Sequence, residues 1–236
     1  MWLKKDMYIL KYKKINITFF FILLELILGI FVQTTSGILN TIVSYLAIFL
    51  SFIYSLMIYL KNKSNTYITL GLLFTLFADI FLVILNPIKQ LPAMICFNIT
   101  QIMYSIRIFK DQNKKEQIIH LIIKSTICLI SIILTIFVLK EKTDLLSIVS
   151  IIYYANLITN IIFSFIKENK NLLFSIGLIL FACCDAIIGL SVLSDAYLNI
   201  NNSFINFLLH PGFNLAWLFY VPSQTLLALS TYHNTK

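Results

Sequence analysis

The chain predicts an all-α fold, a polytopic transmembrane bundle of eight helices. Three observations predict it. Hydrophobic residues make up 59% of the 236, and mean hydropathy is +0.90. The apolar residues run in continuous stretches of roughly twenty rather than in short alternating segments. Only 12% of residues are charged, about half the share of an ordinary soluble domain. A water-soluble body of this size has too much surface to hide so much apolar area. With 6 Gly and 4 Pro, a collagenous or disordered chain is excluded as well. The cysteines, Cys96, Cys128, Cys183 and Cys184, all sit inside apolar runs. They lack zinc-ligand spacing, and the adjacent pair is unsuited to a bridge, so they read as small packing residues.

Eight stretches are long enough to cross ~30 Å of hydrocarbon. They are 15–33, 38–60, 67–86, 91–109, 118–139, 144–166, 171–194 and 206–231. Their abundant isoleucine would favour strands in a soluble chain, but length and continuity favour helices here. Asn86 and Pro87 end the third span, and Pro92 sits in the first turn of the fourth. His210-Pro-Gly reads as the start of the last helix. Residues 1–14 precede the first span with five lysines among Trp2, Tyr8 and Tyr12. Such a segment suits the surface of an anionic leaflet, or is a flexible basic tail. The apolar run that follows is too long for a cleaved signal peptide. Residues 15–231 then form one transmembrane domain, and 232–236 a short tail.

Lysine and arginine set the orientation. The side holding both termini carries 14 of them and the opposite side 3, namely Lys89, Lys140 and Lys142. Both termini are therefore expected in the cytoplasm, with the protein a multi-pass component of the cell membrane. Lys124 lies within the fifth span and is expected to snorkel towards the cytoplasmic side. Arg107 and His120 are expected at that same edge. The net charge of +8 is spread over short inter-span clusters, so no nucleic-acid partner is expected.

Ionisable residues within a span are costly and mark sites. Three carboxylates qualify: Glu25, Asp79 and Asp185. Asp79 lies about 18 Å along its helix from Tyr67, and Asp185 about 21 Å along its helix from Asn171. Both helices run the same way, so the two acids share one level and can face each other if the helices are neighbours. Gly71-Leu-Leu-Phe-Thr-Leu-Phe-Ala-Asp79 and Gly177-Leu-Ile-Leu-Phe-Ala-Cys-Cys-Asp185 also match, each with Gly eight residues before Asp. The offset of 106 residues suggests two parallel four-helix repeats. Paired acids at one depth can divide acid and base roles, carry protons or a cation, or serve as structural hydrogen-bond partners.

Other polar groups fall at helical spacing in the same layers. Gln101 and Tyr104 share a face of the fourth span. Asn156 and Asn160 share one of the sixth, beside Tyr153 and Tyr154. Trp217, Tyr220 and Gln224 recur along the eighth. They can bond between helices or line a site for a lipid head group. Glu25 can join that site or make a structural hydrogen bond. No serine nucleophile elbow, H-E-x-x-H, P-loop or GxGxxG motif is present. Neither Asp carries the flanking Gly-x-Gly of two-aspartate intramembrane proteases.

The acid segments, together with Ala216-Trp-Leu-Phe-Tyr-Val-Pro-Ser-Gln224-Thr-Leu-Leu-Ala-Leu-Ser230, resemble the YhhN family of lysoplasmalogenase-like membrane proteins. Helix count and length agree. The resemblance implies hydrolysis of the vinyl-ether bond of lysoplasmalogens to a fatty aldehyde and a glycerophospho-head group. It implies Asp79 and Asp185 as the catalytic pair, a lysophospholipid as substrate, and no metal or cofactor. Gln101, Tyr104, Asn156, Trp217, Tyr220 and Gln224 are the expected substrate-binding residues. The chain departs from the family pattern at Ala78, usually Gly, at Cys184, often Ser, and at Gln101, often His. A small proton-coupled transporter and a non-catalytic lipid-binding bundle are the competing functions.

Overall fold

A helix satisfies its backbone donors and acceptors within its own segment, which is the condition for crossing hydrocarbon. The computed structural model describes residues 2–63, 65–85, 87–110, 112–167, 171–196 and 212–232. Among them are eight α-helices and no strand. These are α1 (Trp2–Thr34), α2 (Gly37–Asn62), α3 (Thr66–Asp79), α4 (Gln90–Phe109), α5 (Lys114–Leu139), α6 (Leu145–Lys167), α7 (Leu172–Ala196) and α8 (Leu215–Leu229). Six helices are long and apolar enough to span a membrane. The other two are α4, which carries Asn98, Gln101 and Arg107, and α8, whose 15 residues reach about 22 Å.

The boundaries differ from expectation at both ends of the chain. The first helix begins at Trp2, so the basic segment is continuous with the span that follows. The last begins at Leu215 rather than 206, where the Asn214 side chain accepts a bond from Trp217 N at 3.3 Å and caps the first turn. His210 and Pro211 lie outside the described residues.

Within each half the helices pack in chain order, α1 to α4 and α5 to α8. The halves join where α4 meets α6 and where α8 meets α1, α2 and α3. Helix α5 is peripheral. It packs along α6 and presents Leu121, Ile122, Leu129, Ile133 and Phe137 outward, as a lipid-facing helix does.

The hydrogen bonds repeat between the halves. Thr100 of α4 donates to Gly71 O of α3 at 3.1 Å, and Ser223 of α8 donates to Gly177 O of α7 at 2.9 Å. Each hydroxyl immediately precedes a buried glutamine, Gln101 or Gln224. Asn65 and Asn171, which precede α3 and α7, donate to Thr231 O at 2.7 Å and Ser230 O at 3.0 Å. Both asparagines are again 106 residues apart. The cross-packing agrees, since α4 on α6 is the counterpart of α8 on α2.

Glycine is required where these helices touch. A Cβ on Gly71 would fall 2.8 Å from Tyr104 Cζ, and one on Gly177 3.2 Å from the Leu227 backbone nitrogen. Such small residues let helix backbones approach closely in lipid. Gly71→Ala is expected to cost about 1–3 kcal/mol through overpacking. Gly189→Ala, where a Cβ meets nothing within 4 Å, is expected to be neutral or stabilising. Thermal denaturation of both variants in detergent checks this, with several degrees lost by the first and none by the second.

Candidate active site

Asp79 is the last residue of α3, and it is buried. The chain continues as a π-helical turn, Ile80–Ile84, in which Leu85 N bonds to Ile80 O at 3.0 Å. One such turn resets the helix face after Asp79, and turns of this kind concentrate at functional sites. On α8 the regular ladder is interrupted at the same place, because Pro222 lacks a backbone donor. Two residues earlier on α8, Tyr220 donates its hydroxyl to Asp79 Oδ2 at 2.8 Å.

Asp185 lies in the middle of α7. Its Oδ2 accepts a hydrogen bond from the hydroxyl of Tyr153 on α6. The two acid–tyrosine pairs share one aromatic wall. Phe181, one turn before Asp185, has its ring centroid 5.5 Å from that of Tyr220 and 6.4 Å from that of Tyr153. Phe97 of α4 closes the group, 5.8 Å from Phe181 and 5.5 Å from Tyr153.

The acids do not meet by direct packing of α3 against α7. Those two helices are not packed side by side, because α4 occupies the glycine face of α3 and α8 that of α7. Helix α8 lies between them, packing on both helices and setting Tyr220 against Asp79.

The remaining expected residues divide into separate environments. Trp217 packs against Tyr220 with centroids 5.3 Å apart, next to the acids. Tyr104 is fully buried over Gly71, edge-on to Phe174. Gln101 is held by Asn160, whose amide donates to Gln101 Oε1 at 2.9 Å and to its backbone oxygen at 2.8 Å. Asn156 donates to Asn98 Oδ1 at 3.4 Å and accepts from Cys128. Gln224 is fully buried, and neither polar atom of its amide has a hydrogen-bond partner among the described residues. Glu25 accepts a bond from Ser51 at 2.8 Å in the α1–α2 contact.

Three residues expected at the membrane edge turn inward instead, Arg107 and His120 buried and Lys124 part-buried. Arg107 donates to Ser230 Oγ at 3.2 Å and lies 4.0 Å over the Phe174 ring, so its charge is spent inside the bundle. His120 is enclosed between Phe109 and Phe163. Lys124 bends inward to Ser105 and Asn160 rather than out to the head groups. Tyr153 and Phe181 escaped the sequence reading as site residues. Tyr153 stood in view, since Tyr153, Asn156 and Asn160 form one stripe of α6, but an aromatic ring beside an apolar run carries no mark of the acid it faces.

A profile of the YhhN family matches residues 39–231. The chain belongs to the YhhN family. Comparison with curated proteins and with solved structures gives no match. In this YhhN chain Ala78 and Cys184 precede the two acids, and both are buried. Gln101 is committed to the α4–α6 contact through Asn160.

The Tyr220–Asp79 bond makes a stability prediction. Asn at position 79 keeps an oxygen that accepts the hydroxyl, so Asp79→Asn is expected to melt within a few degrees of the parent. Asp79→Leu strands that hydroxyl in the core and is expected to cost about 1–3 kcal/mol. Combining Asp79→Leu with Tyr220→Phe removes both partners and is expected to recover part of the loss, read by thermal denaturation.

Proposed function

We propose that this YhhN protein is a membrane hydrolase that cleaves the vinyl-ether bond of lysoplasmalogens. The products are a fatty aldehyde and a glycerophospho-head group such as glycerophosphoethanolamine or glycerophosphocholine. The observation that carries the reading is the pairing of Asp79–Tyr220 with Asp185–Tyr153 on one aromatic wall. Two acids at one depth, in an apolar and ring-lined setting, suit a reaction that needs one proton given and one taken.

The chemistry runs as follows. One carboxylic acid protonates the β-carbon of the vinyl ether, and the double bond becomes an oxocarbenium ion. The second carboxylate stabilises that cation and removes a proton from an attacking water, as paired carboxylates do in glycoside hydrolysis. The resulting hemiacetal breaks its carbon–oxygen bond, releasing aldehyde and the glycerol hydroxyl. The proton passed to the second acid returns to the first, so one water is consumed per turnover. The acids act as a coupled pair. Tyr153 and Tyr220 hold the two carboxyl groups in position, and the rings of Phe181 and Trp217 flank the alkenyl chain. Gln224, with its amide unspent, is suited to hold the water or a glycerol oxygen.

The lysine and arginine bias of 14 to 3 supports a cell-membrane protein with both termini in the cytoplasm. Proton-coupled transport is the second reading, favoured by the repeated helix contacts around paired acids. A hydrolase works in detergent without a gradient, whereas a transporter needs sealed vesicles.

The test is aldehyde release from a lysoplasmenyl lipid by purified protein in detergent. The parent is expected to release aldehyde, with Asp79→Asn and Asp185→Asn each lowering the rate at least ~100-fold. Folded parent protein without turnover on choline or ethanolamine substrates would remove this reading.

A further inference from the structure

A second polar system leads away from the acids along the contact between α4 and α6. On α6 it starts at Tyr153, the partner of Asp185, and continues through Asn156 to Asn160. On α4 it is matched by Asn98, Gln101 and Ser105. Its far end is the amine of Lys124 on α5. That amine donates to Ser105 Oγ, and to Asn160 Oδ1 at 3.1 Å. Ser105 in turn donates to Asn160 Oδ1 and to Gln101 O, both at 2.8 Å.

The charge on this amine is not matched. An ammonium has three donors, and both acceptors holding Lys124 are neutral. Among the described residues no carboxylate lies within ion-pair distance of it, whereas Lys167 at the mouth of the same three helices is paired with Glu116 at 3.3 Å. A cation withdrawn from water is costly unless an anion completes it. Access exists from the lipid side. Helix α5 packs along α6 but not along α4, to which it is tied only towards its N-terminal end, by Gln117, His120 and Lys124. Lys124 itself is part-exposed.

The spacing fits a lipid. Asn160 is seven residues from Tyr153, or about 10 Å along α6. That is the reach of a glycerophosphate from its ether carbon to a phosphate oxygen and one hydrogen bond beyond.

We infer that Lys124, its amine held in place by Ser105 and Asn160, uses its remaining donor to bind the phosphate of a single-chain glycerophospholipid lying along α6 between α4 and α5. This rests on the proposed reaction only for naming the ether end of the lipid. With the phosphate at Lys124, the sn-1 ether falls beside Tyr153 and Asp185. The aspartates then act on a lipid registered from its head-group end, and chain length is not what sets that register.

The test is binding without turnover. A saturated 1-alkyl lysophosphocholine, which has no vinyl ether to cleave, is titrated into the parent, Lys124→Met and Lys124→Arg in a maltoside detergent. The matching 1-alkylglycerol, which lacks the phosphate, and inorganic phosphate are titrated in parallel. The expected result is a loss of about tenfold or more in lysophosphocholine affinity for Lys124→Met. Lys124→Arg retains most of that affinity, and alkylglycerol binding is the same in all three proteins. Equal weakening of both lipids would make Lys124 a structural residue and overturn the assignment. Unchanged binding in Lys124→Met would overturn it too, as would inorganic phosphate binding through Lys124 while the lipid does not. The hydrolase reading stands or falls separately on aldehyde release.

Discussion

Two hydroxyl-to-carbonyl bonds hold the frame on which the site depends. Thr100 reaches Gly71 O and Ser223 reaches Gly177 O, each across a contact where a Cβ in place of the glycine would crowd the facing helix. In lipid there is little hydrophobic drive between helices, so close backbone approach and inter-helix hydrogen bonds decide which faces meet. These bonds fix α3 against α4 and α7 against α8. Both glycines lie eight residues before an aspartate. Fixing the glycines therefore fixes the depth and facing of Asp79 and Asp185.

The frame is repeated, but the chemistry placed on it is not. Asp185 takes its tyrosine from α6 in its own half, while Asp79 takes Tyr220 from α8 in the other. Gln101 is bound by Asn160, whereas its counterpart Gln224 bonds none of the described residues through its amide. Arg107 is drawn inward to Ser230 and stacked on Phe174, which locks α4 to the end of α8. Lys124 is turned towards the α4–α6 contact. Two similar scaffolds thus hold two acids in unlike surroundings, which is what the proposed division into proton donor and proton acceptor needs.

Much of this was legible in the residues. Long apolar runs announced the helices, because hydrocarbon thickness sets their length. The matched Gly-to-Asp segments announced both the repeat and the acids, because an ionisable group in a span is too costly to be incidental. What could not be read was partnership across helices. Nothing local distinguishes Tyr153, which bonds an acid, from Tyr154 beside it. The inward turns of Arg107, His120 and Lys124 were hidden for the same reason. Each sits near a helix end, where snorkelling is the default, and only the packed neighbours Ser230, Phe163 and Asn160 show that the interior holds a better partner. The start of α8 was set by the Asn214 cap, a signal masked by the apolar run before it.

The proposed reaction requires Asp79 and Asp185 to act as one interacting unit across Phe181 and α8. Infrared spectroscopy of the carboxyl stretch, followed as a function of pH in the parent, Asp79→Asn and Asp185→Asn, is the measurement that checks it. Replacing either aspartate is expected to move the titration midpoint of the other, since coupled groups share their proton equilibria. Midpoints that stay the same after each replacement would leave two separate buried acids and no acid pair.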